Sequence, residues 1–189
     1  MSAKDQPSLR PPVHVVAMGV TATGKSTVAE RLAKDLDLGF HEGDDLHPLA
    51  NIEKMSAGTP LDDDDRRPWL QAIADLVAEQ HRAGTSAVVT CSALKRSYRD
   101  ILRSGLSDSD IFFLHLHADF DVLHERMAER TKHFMPASLL QSQFDTLEPL
   151  QEDEAGVVVD VAEPLDSVVA TSVNAVRAAY PGWHARPRD

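Results

Sequence analysis

The eight residues from Gly19 to Ser26 have the types and spacing of a phosphate-binding loop, G-x-x-x-x-G-K-S. Gly19 and Gly24 allow backbone angles that other residues avoid, so that successive N–H groups can point at one anion. Lys25 would contact the β- and γ-phosphates, and the Ser26 hydroxyl would bind Mg²⁺. A chance match is the alternative, but an apolar run precedes the loop and a helical pattern begins at Thr27. We therefore expect the chain to bind a nucleoside triphosphate.

A carboxylate suited to proton transfer follows the second apolar run of the chain. Asp44 stands in the sequence G-D-D-L-H-P, directly after the predicted strand Gly39–Glu42. At a strand end, a carboxylate can accept a hydrogen bond, and then a proton, from a substrate hydroxyl. Gly-Asp-Asp is also good turn chemistry, and an aspartate there can cap a helix. The position favours the catalytic interpretation and leaves the turn open.

Four consecutive aspartates and two arginines form the unusual run of residues 62–67. Such a run can bind hydroxyls and a carboxylate in one place, because arginine is the preferred bidentate partner of a carboxylate. The alternative is a solvated acidic loop that stabilises the N-terminus of the next helix. Composition alone favours that alternative. Lys54 and Lys95 add cations near the predicted site, although single lysines usually lie on the surface.

Arg126 and Arg130 lie four residues apart on one predicted helix face, just before residues 131–134. Small kinases commonly close a mobile lid over the nucleotide, and arginines of the lid can reach the transferred group. The alternative is a solvated helix face on which these arginines pair with Glu125 or Glu129. The spacing does not decide between the two.

Histidine and cysteine give no sign of a metal site or a disulfide. The nine histidines contain no H-E-x-x-H pair, and His115 and His117, which share one face of a strand, are expected to be structural. Cys91 is the only cysteine, so no intrachain disulfide can form, and we expect a packed thiol rather than a nucleophile.

The elements that must position these residues alternate between strand and helix. Strands are predicted at Val13–Met18, Gly39–Glu42, Ala87–Cys91, Ile111–His117 and Val157–Val161. Helices are predicted at 27–36, from Pro68 to about Gly84, at 119–130 and at 165–180. Alternation predicts an α/β fold, with a parallel sheet covered by helices on both faces and ligands bound at the carboxyl ends of the strands. The phosphate loop, Asp44 and Ser92 should therefore meet at one edge.

Length and charge narrow the class of protein. The 189 residues, 42% hydrophobic, favour one domain with a substantial core, over 13–180, between a flexible leader (1–12) and a tail (181–189). The formal net charge of −11 disfavours nucleic acid and anionic membranes as partners. The N-terminus lacks the apolar segment of a signal peptide, and no apolar run is long enough to span a membrane. Together with the single cysteine, this favours the cytoplasm.

Taken together, these segments resemble the gluconokinase family, small phosphate-loop kinases related in fold to shikimate and nucleoside monophosphate kinases. The most specific blocks, in this order, are G-D-x-L-H-P at 43–48, D-D-D-R-x-P-W at 63–69 and C-S-A-L-K at 91–95. Further matching stretches are residues 19–26, 51–55, 133–135, 143–148 and 160–161. The resemblance extends from about Val13 to Val176.

The resemblance implies a three-layer phosphate-loop α/β fold with a five-stranded parallel sheet, a helical substrate-binding segment at about 46–84 and a short lid at 130–140. The activity that it implies is ATP- and Mg²⁺-dependent phosphorylation of D-gluconate on its terminal hydroxyl, which gives 6-phosphogluconate for sugar-acid metabolism. Members of the family are often dimers, so a homodimer is an open expectation.

The resemblance also implies residue roles. The catalytic residues would be Lys25, Asp44 and Arg130, with Asp44 facing the acceptor hydroxyl. The gluconate site would be lined by Asp44, His47, Lys54, Arg66 and Lys95. Ser26 would hold the metal. The nucleotide would be bound by Gly19, Val20, Thr21, Ala22, Thr23, Gly24, Lys25, Ser26, Thr27, Arg126 (near adenine) and Arg130 (near the phosphates).

Two stretches depart from the family pattern. Family loops usually read G-V-S-G-S-G-K-S, whereas Ala22 here stands where glycine is usual. The lid has Thr131, Lys132 and Met135 where a glycine and a second aromatic residue are more common.

Two rival functions stay open. One is a kinase that acts on shikimate or on a nucleotide, and the other is an inactive nucleotide-binding module. A GTPase would need an N-K-x-D motif, which the chain lacks.

Overall fold

A computed structural model describes residues 11–129 and 137–183, which contain one five-stranded sheet. The strands are β1 (His14–Met18), β2 (Gly39–His41), β3 (Ala87–Thr90), β4 (Ile111–His117) and β5 (Gly156–Asp160). Their spatial order is β2-β3-β1-β4-β5, and every neighbouring pair is parallel. The predicted five-stranded parallel sheet is confirmed, and the strand ends agree with the sequence pattern to within one residue.

Helices cover both faces of this sheet. They are α1 (Lys25–Asp35), α2 (Leu49–Ser56), α3 (Asp63–Arg82), α4 (Arg96–Leu102), α5 (Phe120–Glu129), α6 (Ala137–Thr146) and α7 (Leu165–Ala179), with 3₁₀ turns at Gly43–Leu46 and Asp108–Asp110. Helix α1 packs against α7, and α3 packs against α4. Every residue of β1 and of β3 is buried, which requires cover on both sides. No helix in the two described ranges is both long and apolar enough to cross a membrane.

Helix α3 begins five residues earlier than the sequence pattern predicted. Asp62 is its N-cap, whose carboxylate accepts the N–H of Asp65 at 2.9 Å, while the Asp65 carboxylate accepts the N–H of Asp62 at 2.9 Å. This reciprocal capping box satisfies two amides that would otherwise lack partners, and the acidic first turn suits the helix dipole. Pro68 therefore lies inside the helix rather than at its start. The aspartate run forms the N-cap and first turn of the helix itself, instead of the separate acidic loop of the alternative interpretation. Its proposed role in ligand binding stays a prediction.

Two histidines lie buried in the sheet. His14 of β1 is 0% exposed and His115 of β4 is 5% exposed, and neither ring has a hydrogen-bond partner within the described residues. Burial lowers the pKa of each imidazole to about 4, so both are neutral near pH 7. The expected structural role fits His115.

Cys91 is also buried, and burial raises the pKa of its thiol to about 12. This fits a packed side chain rather than a nucleophile.

Candidate active site

The carboxyl ends of three strands carry the candidate site. The chain leaves β1 into the phosphate loop, leaves β2 into the 3₁₀ turn of Asp44, and leaves β3 at Ser92. One pocket at this edge has in its lining Lys25, Asp44, His47, Arg66 and Ser92. It thus brings together five predicted site residues, since Thr21 also lines it, from three separate segments of the chain. Trp69 and Gln143, which sequence reasoning did not assign to the site, line the same pocket.

The phosphate loop has the backbone that its glycines predicted. Gly19 has φ 139°, and a Cβ on this residue would lie 2.3 Å from the carbonyl oxygen of Leu116 on β4, so only glycine fits. Gly24, with φ 81°, is the N-cap of α1. Helix α1 has no acidic residue in its first turn, so its positive end is left for an anion. The ammonium of Lys25 donates to the Val20 carbonyl at 2.9 Å, across the loop.

Ala22 adopts a left-handed conformation, with φ 65°. This is the loop position at which the sequence departs from the family's usual glycine. A residue with a Cβ is less stable in this region by about 1–2 kcal/mol. The loop therefore has the glycine-type shape at Ala22 in spite of the alanine side chain.

Gln143 of α6 makes a direct contact with the phosphate loop. Its Oε1 accepts the backbone N–H of Thr21 at 2.6 Å. Sequence reasoning missed this contact because 122 positions separate the two residues. The only signal was the position of Gln143 at the start of the matching block 143–148. The contact attaches α6, whose first turn overlaps the end of the predicted lid, to the loop that would hold the phosphates.

Asp44 projects from a turn that is fixed on both sides. The N–H of Gly43 donates to the Thr90 hydroxyl at 2.9 Å, and the indole of Trp69 donates to the Gly43 carbonyl at 2.7 Å. A Cβ on Gly43 would lie 1.9 Å from the Thr90 carbonyl oxygen, so a glycine must precede Asp44. The Asp44 side chain caps no helix and is 76% exposed in the pocket. This placement leaves the carboxylate available for the proton transfer that the sequence predicted.

His47 lies between Asp44 and the start of α2. Its ring stacks on Trp69 of α3, with centroids 4.1 Å apart and planes 14° from parallel. The Nε2 atom is 3.8 Å from Asp44 Oδ1, and Nδ1 is 3.3 Å from the Asn51 amide nitrogen. Burial lowers the pKa of His47, which keeps the imidazole neutral near pH 7.

Arg66 is the buried cation of the pocket. Its residue surface is 9% exposed, and Nη1 donates to the Tyr98 hydroxyl at 3.0 Å, with the guanidinium 5.5 Å from the centroid of the same ring. The Tyr98 hydroxyl in turn donates to Asp63, in a very short contact. Within the described residues, no carboxylate forms an ion pair with Arg66. A buried guanidinium of this kind is suited to binding an anionic group of a ligand.

Lys54 and Lys95 lie beside this pocket rather than in its lining. Lys54 forms ion pairs with Asp65 and, at 3.3 Å, with Asp62. Lys95 lies 2.8 Å and 2.9 Å from the two carboxylate oxygens of Asp63. These hydrogen bonds raise the pKa of both lysines and lower the pKa of Asp63 and Asp65. The two lysines therefore stabilise the first turn of α3, from which Arg66 extends.

Arg126 lies on the other side of the phosphate loop. It lines a groove with Gly24, Thr27 and Val161, and it donates to the Val161 carbonyl in a short hydrogen bond. Within the described residues it forms no ion pair, so the alternative pairing with Glu125 or Glu129 is not observed. Asp44 does not line this groove.

Several predicted features lie outside the described residues. These are Arg130 and the lid residues up to 136, together with the leader up to residue 10 and the tail from 184. The last residues of the predicted lid, from Ala137, form the first turn of α6.

Ser26, the predicted metal ligand, is exposed on the first turn of α1. No group of three or more histidine, cysteine or carboxylate side chains in the described ranges could hold a metal ion.

Comparison with known proteins decides the family. Residues 15–150 match the AAA domain family, to which the chain belongs. The thermoresistant gluconokinase of Escherichia coli K12 is 45% identical over 163 residues, which is 86% of this chain and 92% of that protein. The gluconokinase of Gluconobacter oxydans is 51% identical over 158 residues, 84% of this chain and 88% of that protein. The chain belongs to the gluconokinase family.

A solved structure supports the same assignment. The crystal structure of a gluconokinase from Sinorhizobium meliloti 1021 is 48% identical to this chain and superposes with a TM-score of 0.81, covering 90% of this chain and 95% of that one. The resemblance drawn from the sequence blocks is therefore confirmed, as is the phosphate-loop kinase fold.

Proposed function

We propose that this gluconokinase family member transfers the γ-phosphate of ATP to the terminal hydroxyl of D-gluconate, giving 6-phosphogluconate and ADP. One observation carries the proposal: a single pocket contains the lysine of the phosphate loop, an exposed carboxylate and a buried arginine. These are the groups needed for a phosphate donor, a hydroxyl acceptor and a substrate carboxylate. The identity of 45–51% to gluconokinases over most of the chain agrees with this chemistry.

The donor would lie on the phosphate loop. The loop amides and the N-terminus of α1 would bind the phosphates, and Lys25 would leave its contact with the Val20 carbonyl to reach the β- and γ-phosphates. Arg126, in the groove beyond Thr27, would lie near the adenine. Arg130 remains a proposed phosphate contact, since it belongs to the lid segment that would close over the nucleotide.

The acceptor would be activated at Asp44. The terminal oxygen of gluconate attacks the γ-phosphorus, and the bond between that phosphorus and the β–γ bridging oxygen breaks, with its electrons leaving on ADP. The hydroxyl proton passes to the Asp44 carboxylate. Asp44 can perform this role because its turn is fixed by Thr90 and Trp69 while its side chain stays exposed to the pocket.

The carboxylate of gluconate would bind Arg66. Asp63, which shares Tyr98 with Arg66, already accepts from Lys95 and from Tyr98, so it does not pair with the guanidinium. The pairing of Lys95 with Asp63, and of Lys54 with Asp65, thus leaves the charge of Arg66 for a ligand. Direct contacts of Lys54, Lys95 and His47 with gluconate hydroxyls remain predictions.

Mg²⁺ is the metal that this donor set fits. The Ser26 hydroxyl on the first turn of α1 is a hard oxygen donor beside the loop, and Mg²⁺ takes oxygen ligands, mostly from phosphates and water. When bound, the ion would neutralise charge on the phosphate oxygens. Ser26 would be its protein ligand.

The setting of the reaction follows from charge and composition. We propose a cytoplasmic enzyme that acts on a small free sugar acid, because the net charge of −11 disfavours polyanionic partners. Segment 46–84 would bind the substrate, and segment 130–140 would be the lid of a single kinase domain over 13–180. A homodimer, common in the family, is proposed on that ground alone.

A coupled assay of ADP release tests the proposal. With ATP and Mg²⁺, the purified protein should phosphorylate gluconate far faster than glucose, shikimate or AMP. Glucose tests whether the substrate needs a carboxylate. Shikimate tests whether a different hydroxy acid is accepted, and AMP tests whether a nucleotide is accepted. Absent turnover with gluconate, or equal turnover with all four, would contradict the proposal.

A further inference from the structure

The two ring nitrogens of His47 have different neighbours. The side chain is 5% exposed and is held by its stack on Trp69, so the ring has little freedom to turn. Its Nδ1 lies 3.3 Å from the Asn51 side-chain nitrogen, and its Nε2 lies 3.8 Å from Asp44 Oδ1. One edge of the ring thus faces a buried amide, and the other faces the carboxylate that would accept the proton.

The orientation of the Asn51 amide is set by a second contact. Its Nδ2 donates to the backbone carbonyl of Asp65 at 2.8 Å. A carbonyl oxygen can only accept, so the Asn51 atom that faces it must be the nitrogen and not the amide oxygen. The same nitrogen faces His47, and an amide nitrogen can only donate. Nδ1 of His47 must therefore be the acceptor, and the proton of the neutral ring is on Nε2.

The charges around His47 agree with a neutral ring. Burial lowers its pKa, Asp44 acts in the opposite direction, and Arg66 of α3 lowers the pKa further. An Asn51 donor at Nδ1 also disfavours the doubly protonated ring, since that ring would need an acceptor there. Asn51 itself is 4% exposed and does not line the pocket, and its side-chain nitrogen contacts both His47 and the Asp65 carbonyl.

We propose that Asn51 is a positioning residue that holds His47 as the Nε2–H tautomer, so that His47 donates a hydrogen bond to Asp44. The role rests on the proposed function, in which Asp44 accepts the proton of the gluconate hydroxyl. With one oxygen held by His47, the other oxygen of Asp44 is left to face the acceptor. The exposed Asp44 side chain needs only a small rotation to shorten the 3.8 Å separation to a hydrogen bond.

The tautomer can be observed without any assay of activity. Long-range ¹H–¹⁵N correlation spectra of the ¹⁵N-labelled protein at pH 7.5 distinguish a protonated ring nitrogen from a bare one, and a His47→Gln spectrum identifies which of the nine histidines is His47. We expect the pattern of a neutral ring protonated at Nε2. A ring protonated at Nδ1, or at both nitrogens, would overturn the proposal even if gluconate were phosphorylated normally.

Asn51→Asp tests the consequence for catalysis. A carboxylate at this position accepts from Nδ1, so it should raise the pKa of His47 and draw a proton onto Nδ1. We expect kcat with gluconate to fall about tenfold, with the acid limb of the pH profile moved toward neutral pH and the KM for ATP within about twofold. The matched control is the same substitution in a His47→Gln background, where the pH profile should not move. A folded Asn51→Asp protein with an unchanged tautomer and pH profile would refute the proposal.

Discussion

The donor side of the pocket and its acceptor side are built in opposite ways. The donor side is one continuous loop, Gly19–Ser26, whose shape depends on backbone angles and on close contact with β4. The acceptor side consists of Asp44, His47 and Arg66, which come from separate elements and are held by side-chain contacts. The phosphate site is thus encoded by the backbone, and the sugar-acid site by side chains.

This difference implies that the two sides can be damaged separately. Changes of acceptor side chains should reduce gluconate turnover while ATP binding persists. Changes in the buried strands under the loop should instead act on the stability of the whole domain. Five substitutions and one change of pH should reveal that separation, with effects that range from loss of turnover to a slight gain in stability.

Asp44→Asn should give the largest effect on turnover. The amide cannot take the hydroxyl proton, so kcat with gluconate should fall about 10²–10⁴-fold. ATP binding, measured by calorimetric titration, should stay within about threefold of the original, because the loop is a separate structure. Asp45→Asn, in the next position of the same exposed turn, is the control and should retain most activity. Loss of ATP binding in Asp44→Asn would mean that the two sides are not separable.

Acid should act on the sheet that supports the donor side. His14 and His115 have a pKa of about 4 in the fold, against about 6.5 in an unfolded chain. The unfolded state binds more protons between these values, so the free energy of unfolding should fall as the pH drops from 6.5 to 4, by up to about 3 kcal/mol for each ring.

Denaturant titrations at several pH values measure this loss. His14→Leu or His115→Leu should each flatten the dependence on pH, whereas substitution of the exposed His124 should leave it unchanged. An unaltered slope in both buried variants would show that acid acts elsewhere, for example on the ion pairs of the acceptor side.

Arg66→Ala should weaken the binding of gluconate and leave the binding of ATP unchanged. A charge-assisted hydrogen bond to a carboxylate contributes about 1.5–3 kcal/mol, so the KM for gluconate should rise about 10- to 100-fold. The KM for ATP should stay nearly constant. Arg67→Ala is the matched control, because Arg67 is the adjacent arginine and is exposed. A similar loss in both variants would argue for a general electrostatic effect instead of a specific contact.

Ala22→Gly should give the smallest effect and a favourable one. Glycine removes about 1–2 kcal/mol of left-handed strain at φ 65° but loses a buried methyl group, which contributes about 0.8 kcal/mol. The free energy of unfolding should therefore rise by about 0.5 kcal/mol, with ATP affinity almost unchanged. Destabilisation would mean that the packing of the methyl group outweighs the strain.

The sequence made the donor side easier to predict than the acceptor side. The phosphate loop follows from local spacing after a predicted strand and lies where that spacing put it. On the acceptor side, Asp44 follows from the same kind of spacing, because it comes directly after β2. The true start of α3 did not follow, because Pro68 is typical of a first turn and the capping box of Asp62 and Asp65 was not recognised. The contact of Gln143 with Thr21 was beyond sequence reasoning, since it depends on how distant helices pack.

The lysines illustrate the same limit. The family blocks predicted that Lys54 and Lys95 would line the gluconate site, whereas in the structure they lie outside the lining of the Asp44 pocket and form ion pairs with Asp65 and Asp63. Which aspartate each lysine would contact could not be read from the sequence, because four aspartates are adjacent and the pairing depends on the turn of α3. The left-handed backbone conformation of Ala22 could not be predicted either, since alanine rarely adopts it.

The most direct test of a backbone-encoded donor side and a side-chain-encoded acceptor side is the crystal structure of the enzyme with gluconate and a non-hydrolysable ATP analogue. We expect phosphates on the loop amides, the terminal gluconate hydroxyl about 3 Å from Asp44 and the gluconate carboxylate on Arg66. Gluconate bound in the opposite direction, or outside the pocket that contains Asp44 and Arg66, would contradict it.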